Sequence, residues 1–462
     1  IRRPPRSTQS RSSAASDVYK RQDKHWEVIG IIPQLNAVRI KLKKGVNLED
    51  VWDKSPMPVE FSSNVRMKLP FHPEQPQENR ESYIGFGTDA AAWLGVPPDN
   101  KDWGDKVIIA ILDVGIPDSR MVWKQIDMLS DDKTLITNSH AMAIATVITG
   151  NDNLNIRGIA PAAKILSVRV LGNDGTGDAF TVARGIIEAV DNEAKVINLS
   201  LGGVADSYVL RKAIDYAFTK KVIIVAAAGN DGINAVNYPA AYENVIAVSA
   251  IDAAGKRVFF SNFGNEINIA APGAAIASVD YTGKRIYVSG TSIATPFVSG
   301  IAAMLLAEGN SIAPDEVRKV IENNADDWGR VGYDEYYGSG ILDVERIVLR
   351  NKEGIFDIAV GPPEVVKGNN GVDFLFTIYV QNRGTEIIPY AEVLMDINGV
   401  KSIIAIYNIP VSASVPKTWR IIPEQFAGKS PVKISYSALM PQNIEDARPY
   451  NNGPINVTLQ KN

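Results

Sequence analysis

From Lys106 onward, short apolar runs alternate with longer stretches of helical periodicity. Residues 107–112 (VIIAIL), 164–170 (KILSVRV), 196–200 (VINLS), 222–227 (VIIVAA) and 245–250 (VIAVSA) read as strands, most of them apolar throughout. Uninterrupted apolar strands are those covered on both faces. Residues 141–148, 179–192, 208–219, 301–307, 314–324 and 343–349 read as helices, with Ser311 or Ala313 near the cap of the fifth. Strands alternating with helices predict an α/β architecture, a parallel sheet with helices on both faces. Functional residues in such sheets gather at the carboxyl ends of strands. Asp113 directly follows the first strand run, and Gly229-Asn230 follow the fourth.

The pattern differs on either side of this block. Residues 28–33 and 37–42 look like two short strands, and Asn47 could cap a short helix over 47–52. Residues 53–82 are rich in proline and polar groups and read as a linker. After Gly354 the helical periodicity ends. Strands at 373–380, 390–397, 403–409 and 432–436 are separated by turn signals such as Asn369-Asn370-Gly371 and Asn398-Gly399. This spacing predicts a small β-sandwich.

Composition narrows the chemistry. The 462 residues are enough for two or three domains. No apolar run approaches membrane-spanning length, so no membrane span is expected. The net charge of −4 gives no reason to expect a nucleic-acid partner. Residues 1–22 (IRRPPRSTQSRSSAASDVYKRQ) have no periodicity, and 17–22 resemble a translated sequencing-library adaptor end. They are read as an artefact ahead of a truncated frame, the signal peptide being lost with the true start. Without them the balance is 42 basic against 51 acidic residues, or −9. The chain has no cysteine, which excludes thiol nucleophiles, disulfides and cysteine-bound metals. Its histidines are His25, His72 and His140. A multi-histidine metal site is therefore not expected. His25 lies in the N-terminal segment and His72 in the linker, which leaves His140, at the head of a helix pattern, as the well-placed base.

One stretch concentrates candidate chemistry. Gly290-Thr291-Ser292 opens a small-residue, apolar helix pattern. A serine there has backbone N–H groups around it that no intrahelical carbonyl satisfies, a setting that favours negative charge. Serine acyl transfer needs a nucleophile, a histidine base, a carboxylate to orient it and donors for the oxyanion. Ser292, His140, Asp113 and Asn230 supply one of each.

The surrounding motifs resemble those of the subtilisin-like serine proteases, the subtilases. They are ILDVG around Asp113, SHAMAIA around His140, NLSLGG at 198–203, AAAGN ending at Asn230, APG at 271–273, GTSIATPFVSG around Ser292 and YYGSGILDV at 336–344. The resemblance implies a seven-stranded parallel sheet flanked by helices and endopeptidase activity on polypeptides. Ser292 would attack the scissile carbonyl, His140 would carry its proton, and Asp113 would orient His140. The Asn230 amide and the Ser292 N–H would form the oxyanion hole. Leu199, Ser200, Leu201 and Gly202 would pair with the substrate backbone, and Ala227, Ala228 and Gly229 would wall the specificity pocket. No cofactor is required. Calcium is implied only as a structural ion, in the loop 151–155, where Asp152 is the one carboxylate. The chain departs from the family pattern at Val114, Ala141 and Met142, which keeps a second reading open: a weakened pseudoprotease or extracellular adhesion protein. An α/β-hydrolase esterase is a third. It would need a G-x-S-x-G elbow and the order Ser, Asp, His, and the chain has neither.

The flanks carry weaker resemblances. Residues 23–52 resemble the tail of a subtilase propeptide, with IPQLNAV at 32–38 as the matching run; such a segment would inhibit the enzyme until removed. The maturation cut is expected between Trp52 and Ser82. Residues 355–462 resemble CARDB-type Ig-like modules through VQNRGT at 380–385, Glu445-Asp446 and Asn451-Asn452. The expected division is 1–22 artefact, 23–60 propeptide-like, 61–84 linker, 85–352 catalytic domain and 353–462 sandwich. The expected setting is a secreted monomer.

Overall fold

The computed structural model describes residues 25–47, 62–70, 83–117, 120–129, 135–308, 312–367, 373–422 and 431–459. The adaptor-like start, His72, most of the helix expected at 47–52, the cap candidate Ser311 and the turn at 369–371 lie outside them.

The two short strands expected at 28–33 and 37–42 are present as β1 (Trp26–Ile32) and β2 (Ala37–Leu42), and they pair antiparallel as a hairpin. A third strand, β3 (Arg66–Lys68), lies inside the stretch read as linker. Three residues with one apolar side chain have no periodicity to detect, and their strand is made entirely by what they pair with.

The apolar runs form a single sheet. Its strands are β4 (Ile108–Asp113), β5 (Val122–Asp127) and β6 (Lys164–Arg169), then, past a short β7 (Thr176–Asp178), β8 (Val196–Leu199), β9 (Ile223–Ala227), β10 (Ile246–Ile251) and β11 (Ile269–Pro272). The spatial order is β11-β10-β9-β8-β4-β6-β5 and every pairing is parallel. From β4 the chain runs to the edge strand β5, returns to place β6 between the two, and from β8 builds outward on the other side of β4. The carboxyl ends of β4 and β8 therefore flank the point where strand order reverses, where open α/β sheets place their sites. Every residue of β4 is buried. The edge strand β5 is mostly exposed, so it has no apolar run to announce it.

Helices cover the sheet. Two belong to the site: α1 (His140–Thr149) and α2 (Thr291–Ala307). Helix α2 is buried from Thr291 to Leu305. At Gly300 a Cβ would come within 2.7 Å of Ile159, so only glycine lets the helix approach this closely. Residues 179–191 and 208–219 form the amphipathic helices read from the sequence.

The C-terminal region is the expected sandwich. One sheet centres on the strand Phe374–Asn382 and the other on Ile388–Ile397. Phe376, Ile378 and Val380 face Val393, Met395 and Tyr436 across a separate apolar core. The sandwich is joined to the α/β unit through charge. Arg448 binds Asp343 at 2.5 Å and also Asp357, and Arg383 binds Asp326 at 2.7 Å.

Candidate active site

Asp113 ends β4, and both carboxylate oxygens are occupied. Oδ1 accepts the Val114 N–H at 2.7 Å, and Oδ2 lies 2.8 Å from His140 Nδ1. Asp113 is fully buried and His140 is only 4 % exposed. The Val114 side chain has no hydroxyl, but its backbone amide supports the carboxylate. His140 is the first residue of α1, and its own N–H donates to Asn138 Oδ1 at 3.0 Å. Ala141 and Met142 are packed into the core below it.

Ser292 sits in the first turn of α2. Pro296, one turn on, has no N–H, so the Ser292 carbonyl lacks its helical donor. The Ser200 hydroxyl supplies it, donating to Ser292 O at 2.7 Å. Ser200 Oγ in turn accepts from Asn198 Nδ2 at 2.9 Å, and the Ser299 hydroxyl donates to Asn198 Oδ1 at 2.9 Å. This buried chain ties the head of α2 to the carboxyl end of β8. Ser200 and Ser292 thus lie side by side.

Asn230 follows β9 by way of Gly229, whose φ of +113° suits glycine. The Asn230 Oδ1 accepts from Thr291 N–H at 2.9 Å and from Thr291 Oγ1 at 2.8 Å. With its oxygen committed, the carboxamide presents Nδ2 toward Gly290. A Cβ on Gly290 would stand 2.9 Å from Asn230 Nδ2 and 3.1 Å from Ser292 Oγ. The two groups thus converge on one point, kept open by a glycine at φ +148°. An amide donor beside a serine hydroxyl at a helix N-terminus is suited to a developing oxyanion. Thr291 was not singled out from the sequence. Nothing in the motif distinguishes an orienting threonine from a helix-capping one.

A further strand of the chain lies beside this site. β3 pairs antiparallel with β7, Met67 opposite Gly177 and Lys68 opposite Thr176. On its other side Lys68 exchanges both backbone hydrogen bonds with Gly202, at 3.0 and 2.9 Å, and Leu69 N–H donates to Gly175 O at 2.9 Å. Residues 66–69 thus lie between β7 and the 200–203 stretch. Met67 is fully buried, and burial of such a side chain contributes about 2 kcal/mol. In the antiparallel register set by Lys68 and Gly202, Pro70 falls opposite Ser200 and so beside Ser292. The β1–β2 hairpin docks on β7 and the helix that follows it, through Arg39–Asp178 at 3.0 Å and Gln34–Asp191 at 2.9 Å.

Asp152 lies apart from these groups, in the turn after α1, about 15 Å along the helix from His140. Asn151 Oδ1 there already accepts from Leu154 N–H. A calcium ion here would have Asp152 as its one carboxylate, with backbone carbonyls supplying the remaining oxygens. Among the described residues no three His, Cys, Asp or Glu side chains cluster as metal ligands, and no helix is long and apolar enough to cross a membrane.

Comparison with known proteins agrees with this architecture. Residues 104–340 match the model of the subtilase family. Thermitase of Thermoactinomyces vulgaris is 39% identical over 254 residues, covering 53% of this chain and 89% of that protein. A thermostable alkaline protease of Halalkalibacterium halodurans is 37% identical, covering 53% of this chain and 68% of its own length. Subtilisin DY of Bacillus licheniformis is 34% identical, covering 52% and 90%. The chain belongs to the subtilase family of serine endopeptidases.

Proposed function

We propose that this chain hydrolyses peptide bonds through an acyl-enzyme on Ser292. His140 takes the Ser292 proton as the hydroxyl attacks and returns it to the leaving amine. Asp113 holds the His140 tautomer and stabilises the imidazolium. The Asn230 amide and the Ser292 N–H receive the oxyanion. The observation that carries this reading is the convergence of Asn230 Nδ2 and Ser292 Oγ on Gly290, with the Asp113–His140 pair 2.8 Å apart and buried. No step needs a cofactor, and none is routed through calcium.

The polypeptide substrate lies as an extended strand between β7 and the Leu199-Ser200-Leu201-Gly202 stretch, with Ala227, Ala228 and Gly229 beside the residue preceding the cut. Adding a strand to an open edge binds the substrate mainly through its backbone. The 23–60 segment acts as the chain's own inhibitor, with residues 66–70 holding the cleft until they are cut. The occupied cleft and the docked hairpin support this. The sandwich fits attachment or substrate capture outside the cell, as a CARDB-like module of a secreted monomer.

The test is covalent labelling with a fluorophosphonate probe, applied to the full chain and to Met67→Asp, which should release the cleft. Labelling at Ser292 that disappears in a folded Ser292→Ala chain supports the assignment. A released, folded chain that neither labels nor hydrolyses peptide is a pseudoprotease, and the catalytic reading is then wrong.

A further inference from the structure

We infer that Asn262 is a positioning residue for the oxyanion donor Asn230. This rests on the reading of Ser292 as nucleophile and of Asn230 as the amide that faces it. Asn230 stands on an irregular turn, 228–233, that leaves β9 without entering a helix or a further strand. The backbone groups of such a turn have no ladder to satisfy them, and each needs a partner when withdrawn from water. Asn262, on the loop after β10 and fully buried, supplies several of them. Its backbone N–H donates to Gly229 O at 3.0 Å. Its Nδ2 donates to Ala228 O at 3.3 Å, and its Oδ1 accepts the N–H of Asp231 at 2.9 Å and that of Ile233 at 3.3 Å. One residue thus holds the backbone on both sides of Asn230.

The fit is close. A Cβ on Gly229 would stand 2.3 Å from Asn262 Nδ2, so the carboxamide lies directly against the turn. Donating to one backbone group while accepting from two others takes a planar group with both functions. Thr291 and Asn262 divide the work on Asn230. Thr291 grips the carboxamide oxygen and sets its direction, whereas Asn262 sets where the backbone beneath it stands. Loss of the Asn262 carboxamide leaves the residues before Asn230 in place. Ala228 O still accepts the Asn237 N–H at 2.9 Å, and Gly229 O still accepts the Asn262 backbone N–H. What is lost is the hold on Asp231 and Ile233, after Asn230. The donor then shifts while the walls that bind the peptide remain. A misplacement of about 1 Å can cost about a hundredfold in rate. The oxyanion forms only in the transition state, so the loss falls on kcat and not on KM.

The experiment measures kcat and KM on one chromogenic tetrapeptide for four processed chains: wild type, Asn262→Ser, Asn230→Ala and the double variant. Serine is too short to span from Ala228 to Asp231 and Ile233. Asn262→Ser is expected to lower kcat by about tenfold or more, with KM within about twofold. In the Asn230→Ala background the same substitution should lower kcat by less than about twofold, because the donor it positions is already gone. If Asn262→Ser does not fold, Asn262→Asp takes its place in the same cycle; it keeps the shape and turns the bond to Ala228 O into a repulsion. An unchanged kcat, an equal fall in both backgrounds, or a rise in KM alone makes Asn262 a structural residue only. Any of these overturns the inference and leaves Ser292 untouched. No hydrolysis by the wild-type chain, with Ser292 unreactive to fluorophosphonate, overturns the catalytic reading and this inference with it.

Discussion

Thr291 grips the carboxamide oxygen of Asn230 with two donors, its backbone N–H at 2.9 Å and its hydroxyl at 2.8 Å. The same hydroxyl accepts the Gly229 N–H at 3.1 Å. One side chain thus fixes both the direction of Asn230 and the turn that carries it. Thr291→Val keeps the shape and the backbone donor but loses the hydroxyl. The expected result is a fall in kcat of about tenfold with KM nearly unchanged, because the loosened amide matters only when the oxyanion forms. Asn230→Ala should cost about 10²–10³ in kcat. Steady-state kinetics on one peptide substrate read both. A Thr291→Val enzyme that loses KM rather than kcat would contradict an orienting role.

The Ser200–Ser292 hydrogen bond predicts a rescue. Ser200→Ala leaves the buried Ser292 carbonyl without a donor, at a cost of about 1–3 kcal/mol. Pro296→Ala alone restores an N–H one turn along α2. In the Ser200→Ala background it should recover stability that it does not add to the wild-type chain. Thermal melts of the four chains, all carrying Ser292→Ala to prevent self-digestion, give the coupling energy. Strict additivity would mean that Ser200 does not stand in for the missing helical donor.

Much of this site was legible in the sequence, for an identifiable reason. Asp113 and Asn230 follow buried strands, and such strands are continuous apolar runs that mark their own ends. Ser292 and His140 open helices with strong small-residue or apolar patterns. Residues whose role depends on a distant partner could not be read this way. Met67 and Lys68 become a strand only because β7 and Gly202 lie on either side. The edge strand Val122–Asp127 is exposed, and so its pattern resembles a loop.

The interface between the catalytic unit and the sandwich should be sensitive to loss of one charge. Arg448 bonds Asp343 and Asp357, with both carboxylates and the guanidinium largely withdrawn from solvent. Arg448→Met strands two buried carboxylates, and removing one partner of a buried pair costs about 3–5 kcal/mol. The expected signature is a sandwich that unfolds or detaches first, seen as new protease-sensitive sites around residues 350–360. An unchanged melt and digestion pattern would mean the charges are not coupled across the interface.

Asp326, in the same cluster, gives a pH dependence of definite sign. Burial pushes its carboxyl up to about 7, against the lowering effect of Arg383. The folded chain therefore holds a proton that the unfolded chain has released above its ordinary value near 3.8. The stability this group contributes is full below the unfolded value and is lost as pH rises through about 7. Asp326→Asn, which imitates the protonated carboxyl, should flatten that decline. Urea midpoints at pH 5 and pH 8, in the Ser292→Ala background, measure it. A wild-type midpoint that rises over this interval, or an equal slope in the variant, would sink the prediction.

The strand in the cleft makes the strongest claim on regulation. Residues 66–69 are held by backbone bonds to Gly175 and Gly202 and by the buried Met67, whose sulfur lies 3.2 Å from where a Gly203 Cβ would stand. The backbone bonds are open to any peptide, so they do not favour this segment over a substrate. The side-chain anchor and the docked β1–β2 hairpin do, because they make the contact intramolecular and raise the effective concentration of the strand. Met67→Asp places a charge in an apolar recess, which costs far more than the anchor contributes, and should free the cleft. The uncut Met67→Asp chain is expected to hydrolyse peptides from the first measurement. The wild-type chain should instead show a lag that ends as residues 66–70 are cut. Arg39→Ala, which loosens only the hairpin contact to Asp178, should shorten the lag less. Identical progress curves for wild type and Met67→Asp, with both chains folded and active, would show that the strand does not restrain the enzyme.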